Sequence, residues 1–189
     1  MNTTQAEGVG SEEQTALQKH VSFFDRNKDG IIYPCETFQG FRAIGTGVFM
    51  SFVGVAFVHV QSFKSRPGKF PSLLFPIEVK NIKLAKTRSD TGVYDKEGRF
   101  VASKFEEIFS KHAHAHPDAL TFDELKDMIK EIKAPKDYEG WFISKVQWNL
   151  LYKVGKNKDG LLEKDTVRAV YDGSLFQLLE KQHNAHKKK

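Results

Sequence analysis

The sequence predicts a mainly α-helical fold, and three features carry that prediction. Apolar residues recur at three- and four-residue spacing in several segments, the period of a helix that buries one face. Two similar twelve-residue stretches interrupt these segments, loop 1 at residues 25–36 and loop 2 at residues 155–166. Between them lie an uncharged stretch, residues 43–63, and a proline-rich run. We therefore expect helices packed around two related loops, with one inserted apolar helix.

The length and composition fit one domain with a membrane-associating insertion. The chain has 189 residues, which is enough to bury a core. Its one cysteine, Cys35, excludes an internal disulfide and fits a protein that faces the cytosol. Residues 1–10 are polar and lack the apolar core of a signal peptide, so we expect a mobile tail there.

The positive charge is modest and points to no nucleic acid. The formal net charge is +5, and the lysines are spread along the chain except in the basic tail at residues 181–189. No aromatic ribonucleoprotein motif or zinc finger accompanies them, so we expect no nucleic-acid partner. The basic tail could instead contact anionic lipid.

The first predicted helix leads into loop 1. Ser11 and Gln14 have the spacing of a capping box, and Leu17, Val21 and Phe24 follow at helical spacing. His20 lies on the same apolar face. It is either a core histidine with a hydrogen-bond partner or a ligand for a metal, and the spacing alone leaves both open.

Loop 1 has the residue pattern of a calcium-binding EF-hand loop, which assigns residues 11–42 to an EF-hand. Calcium takes six to eight hard oxygen ligands, and a glycine at the sixth position allows the sharp turn that Gly30 supplies here. The predicted ligands occupy positions one, three, five, seven and twelve: Asp25, Asn27, Asp29, the carbonyl of Ile31, and Glu36. Magnesium could use the same oxygens.

Residues 43–80 form the predicted lipid-associating segment. A bilayer-spanning helix needs about 20 apolar residues, and residues 43–63 reach that length but include several glycine and polar residues. Gly47, Ser51 and Gly54 share one helical face, which permits close approach of another backbone. The alternative is a buried core helix. Prolines then force an extended or turned path at positions 67, 71 and 76.

Residues 81–180 are predicted to form a C-terminal helical region. It contains a helix over 103–111, a helix capped by Thr121 and Glu124, and further helices on either side of loop 2. Three histidines, at 112, 114 and 116, alternate with alanines. His112 and His116 share a helical face and could hold a transition metal, although such a run is also typical of solvated surface.

Loop 2 is a degenerate copy of loop 1. Gly155 stands where the first aspartate belongs and Thr166 replaces the bidentate glutamate, so we expect weak calcium binding or none. EF-hand loops pair through a short antiparallel contact at position eight, which predicts that Ile32 pairs with Leu162. Paired loops lie on one side of a membrane, so a single crossing between them is excluded and the insertion must enter and return.

The ordered motifs resemble the caleosin or plant peroxygenase family. The resemblance runs from Leu17 to Phe176, through LQKHVSFFDRNKDGIIYPCETFQGFRAIG, the proline knot PGKFPSLLFP, DTGVYDKEGRF, KHAHAHPDAL and VRAVYDGSLF. It implies a monotopic protein of the lipid-droplet surface and of the cytosolic face of the endoplasmic reticulum membrane. It also implies calcium and haem b as cofactors, with a fatty-acid hydroperoxide and an unsaturated fatty acid as substrates.

The same resemblance places a haem ligand at His20, as the catalytic and cofactor-binding residue. Family members of this kind transfer one oxygen atom from the hydroperoxide to the unsaturated fatty acid, giving an alcohol and an epoxide. The second histidine of the family falls within NIKLAKTRSD, where this chain has Lys83 and Thr87. Since neither is an ordinary haem ligand, two-histidine ligation by that route is excluded, and His59 is a further candidate.

Three functions therefore compete. The first is a calcium-dependent haem peroxygenase, and the second is a non-catalytic coat protein of lipid droplets. The third is a calcium sensor that exposes an apolar face to a protein partner. The sequence leaves open the preferred fatty acid and the oligomeric state.

Overall fold

The computed structural model describes residues 13–66 and 75–187, and these residues are mainly helical. Eight α-helices follow the chain in order: α1 Ala16–Ser22, α2 Pro34–Ala43, α3 Val48–Gln61, α4 Ala102–His112, α5 Phe122–Glu131, α6 Tyr138–Gly155, α7 Lys164–Tyr171 and α8 Ser174–Lys187. Two short 3₁₀ helices lie at Phe63–Ser65 and Val79–Ala85. Four two-residue strands complete the described fold: β1 Ile31–Ile32, β2 Ile77–Glu78, β3 Ala119–Leu120 and β4 Leu162–Glu163.

The predicted pairing of the two loops is wrong. β1 of loop 1 pairs antiparallel with β2, so Ile32 lies opposite Ile77. β4 of loop 2 pairs with β3, so Leu162 lies opposite Leu120. Each loop therefore uses a partner nearer in sequence, which costs less chain entropy than pairing loops that are about 130 residues apart.

These pairings divide the apolar interior into two clusters. The first core joins both sides of the apolar insertion: Leu17, Ile32, Ile77, Val79 and Ile82. The second core is formed by the C-terminal helices and by β3 and β4: Val93, Phe105, Ile108, Phe109, Leu120, Leu125, Met128, Ile129, Trp148, Leu162 and Val167. Residues 11–42 and 43–80, which the sequence separates, therefore share one core where they are described.

Both helices predicted from capping boxes form, but one begins later than expected. Thr121 and Glu124 cap α5 as predicted, with Leu125, Met128 and Ile129 buried. α1 is capped by Thr15 and Gln18 instead of Ser11 and Gln14. Ser11 lies outside the described residues, and Gln14 precedes the helix. α1 therefore begins with the predicted type of capping box, a hydroxyl residue followed three positions later by glutamine, but one helical turn further along the chain.

The apolar insertion leaves the first core and returns to it. α3 packs closely on α2 at Gly54. Any side chain larger than hydrogen at this position would collide with the ring of Phe41. Ser51 is buried and donates a hydrogen bond to the Gly47 carbonyl at 2.9 Å. β2 then brings the chain back beside β1. The insertion therefore returns to its starting point as predicted, but through the pairing of β1 with β2 instead of the expected pairing of the two loops.

One side of α3 is exposed, which contradicts the alternative of a fully buried core helix. Its exposed apolar residues include Phe49, Phe52, Val53 and Val60. With 14 residues, α3 is about 21 Å long, against about 30 Å for the hydrocarbon core of a bilayer. Within residues 13–66 and 75–187, no helix combines the length and apolarity of a membrane span.

Three predicted segments lie at or beyond the edges of the described residues: the N-terminal tail, the proline knot and the basic tail. The N-terminal tail, residues 1–10, lies outside the described residues, as do Pro67 and Pro71 of the proline knot. Pro76 is described and buried next to β2. The predicted basic tail begins within α8, which continues to Lys187, so the boundary at residue 180 does not mark the end of an element.

Candidate functional site

Loop 1 is held between α1 and α2 by the side chain of Glu36. Pro34 starts α2, where its missing N–H costs no hydrogen bond, and Glu36 follows in the first turn. Glu36 Oε2 accepts from the N–H of Tyr33 at 2.9 Å, and Oε1 accepts from Arg26 and Asn27 at 3.0 and 3.2 Å. One carboxylate therefore joins both ends of the loop.

The first position of loop 1 is also a buried carboxylate. Asp25 Oδ1 accepts from the N–H of Asp29 at 3.2 Å, and Oδ2 accepts from Gly30 at 2.9 Å. Asp25 and Glu36 are 5% and 6% exposed. Two buried carboxylates in one loop repel each other and lose hydration, and a bound divalent cation would offset both costs.

The remaining predicted ligands lie in the same turn. Asn27 Oδ1 accepts from the N–H of Asp29 at 3.0 Å, and Asp29 Oδ1 accepts from Ile31 at 2.8 Å. Asn27 Nδ2 also donates to Asp29 Oδ2 at 2.8 Å, a bond that must open before both side chains bind one ion. In the described ranges no group of three or more His, Cys, Asp or Glu side chains is arranged to hold a metal. The fit to calcium therefore rests on the chemistry of the oxygen donors, which includes an amide and a carbonyl.

Loop 2 is closed by different side chains, and its carboxylates are exposed. Asn157 Oδ1 accepts from the N–H groups of Asp159 and Leu161, both at 3.0 Å. Asn157 Nδ2 donates to the exposed carboxylate of Glu163 at 2.8 Å, and Tyr152 donates its hydroxyl to the Gly160 carbonyl at 2.6 Å. No carboxylate stands at the first position, where Gly155 lies against the methyl group of Thr166. Loop 2 therefore lacks the pair of buried carboxylates that distinguishes loop 1.

His20 joins the first core to the C-terminal helices. Its Nδ1 lies 2.6 Å from the Val170 carbonyl, so Nδ1 carries a proton and donates it, leaving Nε2 with a lone pair. The ring has aromatic neighbours in Phe176 at 5.1 Å and Tyr94 at 6.4 Å between centroids. Burial lowers the pKa of His20, while the Val170 carbonyl and Asp172 oppose that change. This arrangement fits a haem ligand, since such histidines usually donate their second nitrogen to a carbonyl or carboxylate.

His59 uses both ring nitrogens within the protein. Nδ1 lies 2.6 Å from the Phe75 carbonyl, and Nε2 lies 2.8 Å from Thr37 Oγ1. The side chain is 2% exposed, and burial lowers its pKa despite the Phe75 carbonyl. With Nδ1 donating and Nε2 accepting, His59 has no free lone pair for iron. It instead ties α3 to α2 and to the end of the apolar insertion, a role that its sequence position does not reveal.

The second histidine position of the family is filled by groups with other partners. Lys83 forms an ion pair with Glu97, and Thr87 is partly buried. Both lie in or just after the 3₁₀ helix at Val79–Ala85, which packs on α1. The structure therefore brings this segment beside the helix that carries His20, but with no imidazole at either position.

The histidine run at the end of α4 does not form a metal centre among the described residues. His112 Nε2 lies 3.8 Å from a carboxylate oxygen of Glu131, whereas His114 and His116 are exposed. β3 follows directly and pairs with β4. The run is thus the entry to the strand partner of loop 2. The predicted helices on either side of the run, one of them capped by Thr121, already placed these histidines in a connecting segment.

Comparisons with known proteins show which family the chain resembles. A family model described as caleosin related protein matches residues 12–180. "Probable peroxygenase 4" of Arabidopsis thaliana is 62% identical over 92% of this chain and 90% of its own. "Peroxygenase" of Lilium longiflorum is 48% identical over 93% and 74% of the two chains.

A third relative has a different description. "Probable inactive peroxygenase-like protein" of Arabidopsis thaliana is 48% identical over 78% of this chain and 71% of its own. No solved structure matches the chain significantly. The relatives' names therefore include both enzymes and a protein described as inactive.

Proposed function

The chain belongs to the caleosin family, and on that premise we propose that it is a calcium-binding, haem-dependent peroxygenase of lipid droplets. The substrates would be a fatty-acid hydroperoxide and an unsaturated fatty acid. One oxygen atom passes from the hydroperoxide to the carbon–carbon double bond, so the products are an alcohol and an epoxide. The proposed location is the droplet surface and the cytosolic face of the endoplasmic reticulum membrane.

The observation that carries the enzymatic proposal is the hydrogen bond between His20 and the Val170 carbonyl. His20 Nδ1 lies 2.6 Å from this carbonyl oxygen and donates to it, and burial lowers the pKa of the ring, which favours the neutral form. Nε2 is then the nitrogen available to iron. Bound haem would supply hydroperoxide O–O cleavage and oxygen-atom transfer. Thr87 stands at the position that the resemblance gives to a second histidine, so His20 would be the residue that holds the haem and Thr87 would supply no competing imidazole.

The residues around His20 have separate roles in this proposal. The Val170 carbonyl fixes the ring orientation, and the Phe176 and Tyr94 rings provide apolar walls. α1 continues into loop 1, so calcium held by Asp25 and Glu36 would fix the end of the helix that carries His20. Calcium is thereby assigned a positioning role and no part in the chemistry.

The exposed face of α3 supports attachment to lipid. Phe49 is 76% exposed and is followed on the same helix by further exposed apolar side chains, which would enter the acyl-chain boundary. Because β2 pairs with β1, the insertion returns to its starting point, as a monotopic arrangement requires. Protease treatment of sealed vesicles should cut both termini from the same side. Protection of one terminus alone would contradict this arrangement.

The decisive experiment is haem reconstitution of the full chain with three matched histidine variants. We expect a Soret band and hydroperoxide-dependent epoxidation of oleate, both lost in His20→Ala. His116→Ala, which changes an exposed histidine, should keep both, and so should His59→Gln where it folds. A Soret band of normal intensity in His20→Ala would contradict the ligand assignment. Absence of both signals in the unmodified protein would contradict the enzyme.

The second candidate is a non-catalytic droplet-coat protein. Thr87 at the family histidine position and the relative described as inactive favour it. This function requires lipid attachment and calcium binding but no haem. Thr87→His separates the two candidates, because a haem protein should show a shifted Soret maximum when a second imidazole is supplied, whereas a coat protein should show no haem band in either form.

A further inference from the structure

α6 is apolar on its outer side as well as on its inner side. Its inner side is buried on the second core, where Trp148 packs and Trp141 donates its indole N–H to the Ile129 carbonyl at 2.9 Å. A row of apolar side chains along a helix is ordinarily covered by another element. The outer side of α6 is not covered by the described parts of the chain: Tyr138, Phe142, Leu150 and Val154 are 68%, 59%, 39% and 56% exposed.

These four side chains belong to one row, which we call the α6 outer row. They lie at spacings of four or eight residues, and the partly exposed Val146 fills the interval. At 1.5 Å and 3.6 residues per turn the row extends for about 24 Å and turns by about 40° at each four-residue step, so its middle members Phe142, Val146 and Leu150 face the same side. Single exposed apolar residues are normal on soluble proteins, but a continuous row of this length is not.

Basic groups accompany the outer row. Lys145 and Lys153 lie on α6, and Lys133 and Lys156 lie just beyond its ends, whereas Glu139 is the one acidic residue of the helix. Lys133 Nζ lies 4.8 Å from the centroid of the Tyr138 ring. Lysines beside aromatic rings are typical of helices that lie in the headgroup region of an anionic lipid surface.

The outer row is also continuous with the proposed lipid-binding helix. Gln147 Nε2 on α6 donates to Gln61 Oε1 at the end of α3, at 3.2 Å. The C-terminal end of α3, with the exposed side chain of Val60, therefore lies beside the middle of α6. One lipid surface could contact both helices.

We propose that the α6 outer row is a second lipid-contact surface that lies on an anionic phospholipid layer beside α3. This inference rests on the proposed attachment to lipid droplets. It adds that α6 also contacts the lipid and that the lipid headgroups are negatively charged. A second copy of the chain fits less well, because a symmetric contact between two α6 faces would bring like-charged lysines together. Phosphate headgroups would neutralise the same lysines.

The test measures binding of the full chain to vesicles of phosphatidylcholine, with and without phosphatidylserine, by flotation. We expect phosphatidylserine to strengthen binding. Phe142→Ser with Leu150→Ser should weaken binding to the anionic vesicles by about tenfold or more, since two apolar side chains lose their burial in lipid. The matched control is Phe122→Ser with Leu84→Ser, an exposed pair outside the row. Circular dichroism verifies that both double variants are folded.

A depth measurement gives a second readout that a loss of stability would not imitate. Phe142→Cys is made in a Cys35→Ser background, labelled with bimane, and mixed with vesicles that carry a lipid spin quencher. Quenching at position 142 supports the inference. If the protein binds vesicles but the label is not quenched, α6 is overturned as a contact while attachment through α3 stands.

Two further outcomes are separated in the same samples. If the unmodified chain floats with neither vesicle, the proposed droplet attachment fails and this inference fails with it. If sedimentation shows a dimer that the Phe142→Ser and Leu150→Ser pair dissociates, the row is an interface between copies and the lipid assignment is overturned.

Discussion

Loop 1 and loop 2 have the same length and similar sequence, yet different groups hold them closed. In loop 1 the buried carboxylates of Asp25 and Glu36 accept five backbone N–H groups. In loop 2 the amide of Asn157 and the hydroxyl of Tyr152 close the turn. A loop closed by buried anions gains stability when a cation binds, whereas the carboxylates of loop 2, including Glu163 beside Asn157, are exposed to water and depend less on a cation.

The comparison shows that one loop geometry can serve two purposes. Each loop supplies a two-residue strand to its own partner, β1 to β2 and β4 to β3. Leu162 of β4 belongs to the second core, so the turn at Asn157 and Gly160 positions a core residue without acidic residues at positions one and twelve. Loop 1 has acidic residues at both positions, next to the helix that carries His20 and the helix that contacts His59.

The largest expected effect comes from removing the carboxylate at the twelfth position. Glu36→Ala should lower calcium affinity by more than about 100-fold, above the 10–100-fold typical of residues that only support a ligand. Thr166→Ala, at the same position of loop 2, should leave the affinity unchanged. Titration calorimetry measures both, and an equal loss in the two variants would remove the functional distinction between the loops.

The reverse exchange should create a second site. Gly155→Asp with Thr166→Glu restores the acidic residues of loop 2, and we expect the calcium stoichiometry to rise from one to two, with weaker binding at the new site. The new Cβ at position 155 would lie 3.2 Å from Leu162, so some loss of stability is also expected. A stoichiometry that stays at one in a folded variant would show that loop 2 lacks more than these ligands.

The two buried histidines should make the folded protein sensitive to mild acid. The pKa of both His20 and His59 is lowered from 6.5, so the unfolded chain takes up protons first as the pH falls below about 6.5. Stability should then fall by at most about 1.4 kcal/mol per pH unit for each histidine, until the folded protein is protonated. Chemical unfolding between pH 7.5 and 5 measures this. His59→Gln should reduce the slope, and an unchanged slope would assign the effect to other groups.

The smallest expected effect is a loss of stability in loop 2 that does not depend on calcium. Tyr152→Phe removes the hydrogen bond to the Gly160 carbonyl and should cost about 1 kcal/mol, or about 2–4 °C in Tm. The loss should be the same with calcium and with a chelator, because the hydrogen bond of Tyr152 joins two neutral groups and loop 2 has no buried carboxylate among the described residues. Leu178→Ala, an exposed apolar residue on α8, is the control. A loss that appears only with chelator would show that loop 2 depends on the ion.

Local patterns predicted the helices well, while long-range partners were predicted poorly. α4 and α5 lie within one residue of the expected positions, because apolar spacing and capping residues act over a few residues. The pairing of Ile32 was wrong because β2 and β3 are only two residues long, and no local pattern marks Ile77 or Leu120 as strand residues. The role of His59 was also missed, because Thr37 and Phe75 approach it only in the folded chain.

The sequence by itself determined the oxygen donors of loop 1, the loss of the matching acidic residues in loop 2, the apolar insertion and the family. All four are properties of residue type and spacing along a short stretch. The tertiary structure alone decided which strand each loop pairs with, which nitrogen of His20 bonds the Val170 carbonyl, and which face of α6 is left exposed by residues 13–66 and 75–187. These depend on contacts between segments tens of residues apart, and a local pattern cannot encode which of several compatible partners packs most favourably.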